Sequence, residues 1–334
     1  MATRPRSYSM GPRPLSAVPL AGPLRDFAFT VYQKKNEMVD AGAIYRLYNA
    51  VSQKNQLTLG GGSAETMYLD RLYSLGLVRG QPIVQDFESF TFGSLLTIRR
   101  NYLQRSELIP NGALFNHIKP QAEDHGMTPE DYLVAILGIA FYHYSSRNRC
   151  TVTQRVYLDV HANDATNVMR MVVSELVDDM AGVDEAKIAG PVAVEDRPDT
   201  IVIYTKNETI RDQVVMRLKD FQDDQGVGAF IDKVPAMTER RLPGVSCGAE
   251  PAQVKLIRRQ AMPGEQSFGT LRADLIFQAL KDSRSGPEFF ELIVKYFRDA
   301  GLNANDPSIQ TRCQKLTLEA QRNLVDDIMK GYGP

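Results

Sequence analysis

The sequence predicts an α+β fold, in which a mostly helical N-terminal half precedes a mixed or antiparallel sheet domain flanked by helices. Apolar residues recur at helical spacing through most of residues 23–147, whereas two segments after Cys150 alternate between apolar and polar residues. Such alternation is typical of half-buried strands. The predicted helices and strands follow one another without the regular spacing of βαβ units, which favours α+β over a doubly wound parallel sheet.

Three segments organise the chain. Residues 1–22 contain four prolines and few bulky apolar side chains, so we expect a flexible tail rather than a secretory signal peptide. Residues 23–150 form the predicted helical region, which we expect to dock a partner or a leader peptide. Residues 151–334 form the predicted sheet domain.

In the helical region, Leu24, Phe27 and Val31 recur at helical spacing, and a similar pattern follows the glycine-rich stretch at residues 60–63. The clearest helix start is MTPEDYLVAILG. Thr128 can cap it, Pro129 suits its first turn, and the two acidic residues that follow complement the helix dipole.

In the sheet domain, strands are predicted over residues 152–162, 187–190 and 201–205, and another strand with a turn at each end is predicted within LPGVSCGAEP. A helix is predicted from Asn163 or Asp164 to about Met180, and another over residues 209–223. Three further helix candidates lie in SFGTLRADLIFQAL, PEFFELIVKYFRDAG and CQKLTLEAQRNLVDDIMKG.

Composition limits the partners and the cofactors. A formal net charge of −1 provides no broad basic field, so we expect no nucleic-acid partner. The longest apolar run contains about 13 residues, fewer than the roughly 20 of a membrane-spanning helix, so we expect no membrane span. Three cysteines without paired spacing indicate a reducing, cytoplasmic environment. Four scattered histidines form no metal-binding pattern, and we expect neither a metal nor another cofactor.

The residues that suggest chemistry lie between Arg155 and Lys206. The segment RVYLDVHA places Arg155, Tyr157 and His161 on the polar side of a strand, and Lys187, Arg197 and Lys206 follow. Each of these side chains taken alone is more often an ordinary solvated group. Arg272 lies near the start of a predicted helix, where a cation is electrostatically unfavourable, and this placement mildly favours a role with an anion.

A group of cations beside a tyrosine and a histidine suits the elimination of phosphate from phosphoserine or phosphothreonine. That reaction needs a base for the Cα proton, cations for the phosphate and a proton donor for the departing oxygen. A lysine acts as the base only when it is neutral, and neighbouring cations lower its pKa. Arginine binds phosphate through its forked N–H groups.

Four blocks in order resemble a known family. They are RVYLDVHANDATNVMRMVV, AKIAGPVAVEDRPDTIVIYT, PAMTERRLPGVSCGAEP and SFGTLRADLIFQALKD. Together they resemble the Hop-A class of type III effector domain, which recurs as the stand-alone lyase of class V lanthipeptide and thioamitide-type biosynthesis. The resemblance covers roughly residues 151–312. This domain is more remotely similar to the bacterial phosphothreonine lyases.

The resemblance implies a role for each candidate residue. Lys187 would be the base, and Tyr157 would stand where the phosphothreonine lyases place a histidine acid, with His161 as the alternative acid. The implied phosphate-binding residues are Arg155, Arg197, Lys206 and Arg272.

The leading hypothesis is therefore a cytoplasmic bacterial lyase that forms dehydroalanine or dehydrobutyrine in a phosphorylated precursor peptide. Its expected partners are that peptide, a separate Ser/Thr kinase and a cyclase. One alternative is a type III secreted effector that acts on host phosphoproteins. The other is a non-catalytic module that binds phosphopeptides.

Overall fold

A computed structural model describes residues 22–52, 62–80, 83–85, 93–94, 96–97, 99–100, 110, 112–225, 227–251 and 267–310. The chain divides into two compact units, one comprising residues 1–44 and 251–334 and the other residues 45–250. Residues 1–21 of the predicted tail and the last predicted helix, which begins at Cys313, lie outside the described residues.

The described helices occur in both units. The α-helices with described bounds are α1 (Gly22–Gln33), α2 (Ala41–Ser52), α3 (Gly62–Arg79), α4 (Ala113–Asp124), α5 (Pro129–Gly138), α6 (Ala165–Met171), α7 (Ala193–Asp196), α8 (Glu208–Gln225), α9 (Phe268–Asp282) and α10 (Gly286–Asp299). A π-helical segment, Val172–Val177, continues α6. Among the described residues, no helix is both long enough and apolar enough to cross a membrane.

A single antiparallel sheet organises the unit formed by residues 45–250. Its strands are β1 (Val84–Gln85), β2 (Phe141–Ser145), β3 (Gln154–Leu158), β4 (Val183–Ala189), β5 (Ile201–Thr205), β6 (Glu239–Leu242) and β7 (Val245–Ala249). Their order across the sheet is β1-β2-β4-β5-β3-β7-β6, and every neighbouring pair is antiparallel. This architecture confirms the predicted α+β class.

One face of this sheet packs against helices. Val156, Leu158, Ile201 and Ile203 are completely buried in a core that also contains apolar residues of α3, α4, α5, α6 and α8. Because side chains alternate between the two faces of a strand, the intervening residues of β3 and β5 belong to the opposite face. The alternation in the sequence therefore places apolar side chains on the face that packs against the helices and most of the polar side chains on the opposite face.

Helix starts follow local capping chemistry. The Thr128 hydroxyl accepts a hydrogen bond from the Asp131 backbone N–H at 3.1 Å, and Pro129 occupies the first turn of α5, as predicted. In the other unit, Ser267 caps α9 in the same way by accepting a hydrogen bond from the Thr270 N–H.

The unit formed by residues 1–44 and 251–334 has its own apolar contacts. The ring of Tyr32 in α1 stacks on Phe289 of α10 with 5.5 Å between ring centroids, and Phe289 also contacts Phe290 edge-on. A second, two-stranded sheet pairs β8 (Leu302–Asn303) with β9 (Asp306–Gln310). The predicted helices in SFGTLRADLIFQAL and PEFFELIVKYFRDAG are confirmed as α9 and α10.

Several strands differ from the sequence prediction, since β1, β2, β6, β8 and β9 were not predicted and β4 has a different start. β2 was not predicted, because its residues FYHYS directly follow the apolar helix α5 and include three aromatic side chains that hide the alternation. β4 begins at Val183, four residues before its predicted start. The early start was not predicted because charged residues occupy the first half of the strand. The sheet thus includes two strands, β1 and β2, from the region in which only helices were expected.

Gly190, directly after β4, makes a close backbone contact with the residues that precede β2. Its N–H donates to the Ala140 carbonyl at 2.7 Å. A β-carbon at Gly190 would lie 2.6 Å from the Gly138 carbonyl oxygen and 2.9 Å from that of Ala140. Both oxygens belong to the backbone and cannot rotate away, so only glycine permits this close approach.

We expect Gly190→Ala to lower the free energy of unfolding by about 1–3 kcal/mol, because the added methyl group forces β2 and β4 apart. Urea denaturation of the full chain measures this effect. Gly228→Ala is the matched control, since a β-carbon there would meet no atom within 4 Å. Equal unfolding midpoints for the two variants would contradict the proposed constraint.

Candidate functional site

The strand register collects polar side chains on the sheet face opposite the helical core. Residues paired across strands lie on the same face, and their β-carbons are about 5 Å apart. We call this the polar face, and two adjacent rows of paired residues define it. One row is Ser145, Glu185, Tyr204, Arg155 and Gly248, and the next is His143, Lys187, Val202, Tyr157 and Ser246.

Lys187 lies between two aromatic rings of this face. Its Nζ is 4.2 Å from the ring centroid of Phe141 on β2 and 5.9 Å from that of Tyr204 on β5. The amine therefore leans towards β2. Ring faces attract the ammonium form by about 0.5–2 kcal/mol, and Lys187 is only partly exposed.

Arg197 shares the Phe141 ring with Lys187. Its Cζ lies 5.0 Å from the ring centroid, and its Nε and one terminal N–H group donate to the two carboxylate oxygens of Asp199 at 2.9 and 2.8 Å. Burial alone would lower the pKa of Arg197, but the Asp199 carboxylate and a hydrogen bond with Tyr45 outweigh burial and raise it. The structure thus brings two of the predicted cations together on one ring.

Arg155 occupies the other side of Tyr204. Its Cζ is 4.9 Å from the Tyr204 centroid, and its guanidinium donates in a fork to Glu250, with one hydrogen bond of 2.6 Å. Arg155 is 8% exposed. Burial alone would lower its pKa, but the interactions with Tyr157 and Glu250 raise it overall. The forked contact is the geometry with which arginine binds carboxylate or phosphate.

His143, which was not among the predicted site residues, lies beside Lys187. His143 on β2 is the direct cross-strand partner of Lys187. Its Nδ1 lies 2.6 Å from a carboxylate oxygen of Glu185. The other Glu185 oxygen accepts hydrogen bonds from Ser145 at 3.1 Å and Arg149 at 3.3 Å.

The pKa of Glu185 reflects these neighbours. Burial alone would raise it, but the hydrogen bond from His143 and the charge of His143 lower it, with Ser145 and Arg149 acting in the same direction. The carboxylate is therefore held ionised within a partly buried cluster.

The two predicted acid candidates lie further from Lys187. Tyr157 is buried, on β3, and is separated from β4 by β5, a lateral distance of about 10 Å at the usual strand spacing. Its cross-strand neighbour Ser246 is completely buried, and the Ser246 hydroxyl has no hydrogen-bond partner among the described residues. His161 is exposed and lies four residues beyond Tyr157, about 13 Å along the chain at the usual rise per residue.

The two remaining predicted cations have different surroundings. Lys206 is exposed just beyond β5, where its backbone N–H donates to the Gly182 carbonyl. Arg272 belongs to the unit formed by residues 1–44 and 251–334. It is completely buried, donates to the carbonyls of Pro307 and Phe268, and stacks 3.3 Å from the Phe268 ring centroid. Their assignment to the phosphate pocket stays a prediction.

Among the described residues, no group of three or more His, Cys, Asp or Glu side chains is arranged to hold a metal ion. The polar face instead combines amine, guanidinium, imidazole and carboxylate groups. Such a set can bind an anion and exchange protons with it.

The profile of the HopA1 effector protein family matches residues 138–309, which is just over half of the chain. The chain belongs to this family. All residues of the two polar-face rows lie within the matched range. A comparison with curated proteins found no match.

Two solved structures share the fold of this HopA1 family member. One is the effector protein from Pseudomonas syringae pv. tomato strain DC3000, with a TM-score of 0.58 and 14% identity over 86% of this chain and 96% of the other. The second is the effector protein from Pseudomonas syringae pv. syringae strain 61, with a TM-score of 0.53 and 14% identity over 87% of this chain and 96% of the other. At this identity the likeness establishes the fold alone.

The lowered pKa of Glu185 predicts how the contribution of this residue to stability depends on pH. A carboxylate whose pKa is lowered by folding stabilises the folded state above its unfolded pKa, near 4.3 for glutamate, and loses that contribution as the pH falls through the folded value. We therefore expect Glu185→Gln to destabilise the protein more at pH 6 than at pH 3, as measured by urea denaturation at both values. The exposed Glu123 provides the matched control, Glu123→Gln. The same loss of stability at both pH values for Glu185→Gln would contradict this account.

Proposed function

We propose that this HopA1 family member is a carbon–oxygen lyase that eliminates phosphate from phosphoserine or phosphothreonine in a ribosomal precursor peptide. The products are dehydroalanine or dehydrobutyrine and inorganic phosphate. The observation that carries the proposal is the placement of Lys187 between two rings, one shared with Arg197 and the other with Arg155.

This placement supports Lys187 as the base. Positive charge on the two arginines acts against the ammonium form of Lys187, whereas the two rings act in its favour, so the proposal requires the arginine charges to outweigh the ring contacts. A neutral amine can then remove the Cα proton of the phosphorylated residue, and the electron pair of the Cα–H bond forms the double bond as the Cβ–O bond breaks.

The forked arginines support phosphate binding. Each of the two guanidinium groups is paired with a carboxylate. Arg155 pairs with Glu250, and Arg197 pairs with Asp199. A phosphate dianion carries more charge than a carboxylate and matches the same fork. Phosphate binding would therefore proceed by exchange with these carboxylates.

The proposed activity requires other proteins. A separate Ser/Thr kinase would supply the phosphorylated peptide, and a cyclase would use the dehydrated product. The helical residues 23–150 would dock the leader peptide or one of these partners. The enzyme would act in the bacterial cytoplasm.

A second function has direct support from the family. The HopA1 family is a family of effector proteins, and both similar structures are described as effectors. The same elimination would then act on phosphoproteins of a host after secretion. The two functions share the polar face and differ in the substrate, so purified phosphopeptides of both kinds distinguish them.

We expect Lys187→Ala to abolish elimination, because no other group would remove the Cα proton at a comparable rate. The assay incubates the full chain with a phosphothreonine peptide and follows the loss of one phosphoric acid by mass spectrometry. Lys219→Ala is the matched control, since Lys219 is an exposed lysine paired with Asp223 on α8. Full activity of Lys187→Ala would overturn the assignment of the base.

Lys187→Arg separates catalysis from binding. Arginine keeps a positive charge and stacks on the same rings, but it is not deprotonated near neutral pH. We expect this variant to bind the phosphopeptide in a calorimetric titration and to leave its mass unchanged. If the wild type also bound the peptide without any mass loss, the protein would be a phosphopeptide-binding module.

A further inference from the structure

His143 lies where a proton donor for the proposed elimination is needed. The reaction removes a proton from Cα and breaks the Cβ–O bond of the neighbouring carbon, so the base and the acid must act close together. His143 and Lys187 are direct partners on paired strands, which places their β-carbons about 5 Å apart. The Lys187 amine leans towards β2, the strand that carries His143, because it lies closer to Phe141 than to Tyr204.

Glu185 gives the imidazole a defined orientation. Because His143 Nδ1 contacts the carboxylate at 2.6 Å, that nitrogen carries the proton that Glu185 accepts. In the proposed reaction, Nε2 is the nitrogen that exchanges a proton with the substrate. Glu185 is itself fixed by Ser145 and Arg149. A fixed carboxylate on one imidazole nitrogen stabilises the imidazolium form, which is the form that can donate a proton.

The other two acid candidates are placed less well. Tyr157 is two strand spacings from β4, and a phenol is in general a weaker acid than an imidazolium. His161 lies outside the strand pairing and is exposed. His143 alone among these three is the cross-strand partner of the proposed base.

We propose that His143 donates a proton to the departing phosphate oxygen, with Glu185 as a positioning residue that orients the imidazole and stabilises its charged form. This inference rests on the proposed elimination activity. The proposed donor lies on β2, which precedes the segment of roughly residues 151–312 that carries the family resemblance.

The proton and electron balance closes without a co-reactant. Lys187 accepts the Cα proton, and the electron pair of that bond forms the carbon–carbon double bond. The Cβ–O bond breaks with its electron pair on the phosphate oxygen, which accepts the Nε2 proton of His143. Lys187 ends as ammonium and His143 as neutral imidazole, and exchange with water restores both groups.

The charged groups around His143 determine its pH response. Glu185 and Lys187 face it from β4, Arg149 contacts the same carboxylate, and β1 places the non-ionisable Val84 opposite it. Because the donor must be protonated and the base must be neutral, we expect kcat of the wild type to pass through a maximum and to fall at high pH.

The direct test compares His143→Gln and His143→Ala in the phosphothreonine peptide assay. A positioned acid contributes about 100-fold or more, so we expect kcat to fall by that factor in both variants. We expect added imidazole to restore a measurable part of the activity of His143→Ala, because the small base fits the vacated space. His125→Gln is the matched control, since His125 is exposed at the end of α4.

Glu185→Gln tests the positioning role. Loss of the carboxylate removes the stabilisation of the imidazolium, so the fall of kcat at high pH should move down by about one pH unit, while KM changes little. A purely structural role would lower kcat at all pH values without moving this limb. Circular dichroism and urea denaturation of each variant establish that it is folded.

The outcomes separate this inference from the proposed function. An active wild type with inactive Lys187→Ala but fully active His143→Gln would overturn the role of His143 and retain the lyase. Low activity of His143→Ala without rescue by imidazole, together with an unshifted pH limb in Glu185→Gln, would also overturn it. An inactive wild type would overturn the proposed function itself.

Discussion

The register of β4 is the constraint on which the polar face depends. β4 pairs with β2 on one side and β5 on the other, and this pairing places His143, Lys187 and Val202 in one row. A slip of one residue would turn Lys187 into the helical core and bring Ile188 to the polar face. The close approach of Gly190 to the carbonyls of Gly138 and Ala140 opposes such a slip at the end of the strand. A backbone contact thus determines which side chains meet at the candidate site.

The polar face keeps its cations close together by pairing each with an aromatic ring or a carboxylate. Unpaired charges with so little exposure would be strongly unfavourable. Tyr204 separates Lys187 from Arg155, and Glu250 and Asp199 occupy the two guanidinium forks. A phosphate bound as proposed would replace each of these carboxylates with an anion of higher charge. The affinity for phosphate would therefore depend on the difference between the arginine–phosphate and arginine–carboxylate contacts, and not on the full strength of either.

The sequence predicted the elements whose patterns are local. The alternation in RVYLDVHA and TIVIYT predicted β3 and β5, and Thr128 predicted the start of α5. β2 was missed because an aromatic run directly after a helix has no clear period of two. The pairing of His143 with Lys187 joins residues 44 positions apart in strands that are not consecutive, and no local pattern contains that information.

For the candidate site, too, the sequence predicted individual residues but not their partners. Lys187, Arg155 and Arg197 were predicted, and the structure places all three around the rings of Phe141 and Tyr204. The carboxylates that pair with the two arginines, Glu250 and Asp199, were not predicted, because a carboxylate in a sequence gives no sign of which cation it will meet.

The arrangement of the charges explains why a lysine flanked by arginines differs from a simple anion-binding cluster. A phosphate bound mainly by Lys187 would hold that amine in its ammonium form, as its ring contacts also do. A phosphate bound by the forks of Arg155 and Arg197 is neutralised by other groups, so it stabilises the Lys187 ammonium far less. In that arrangement the arginines hold the anion, and Lys187 is not needed as a phosphate ligand. Under the proposed activity, the lysine would then be left to act as a base rather than as a third phosphate ligand.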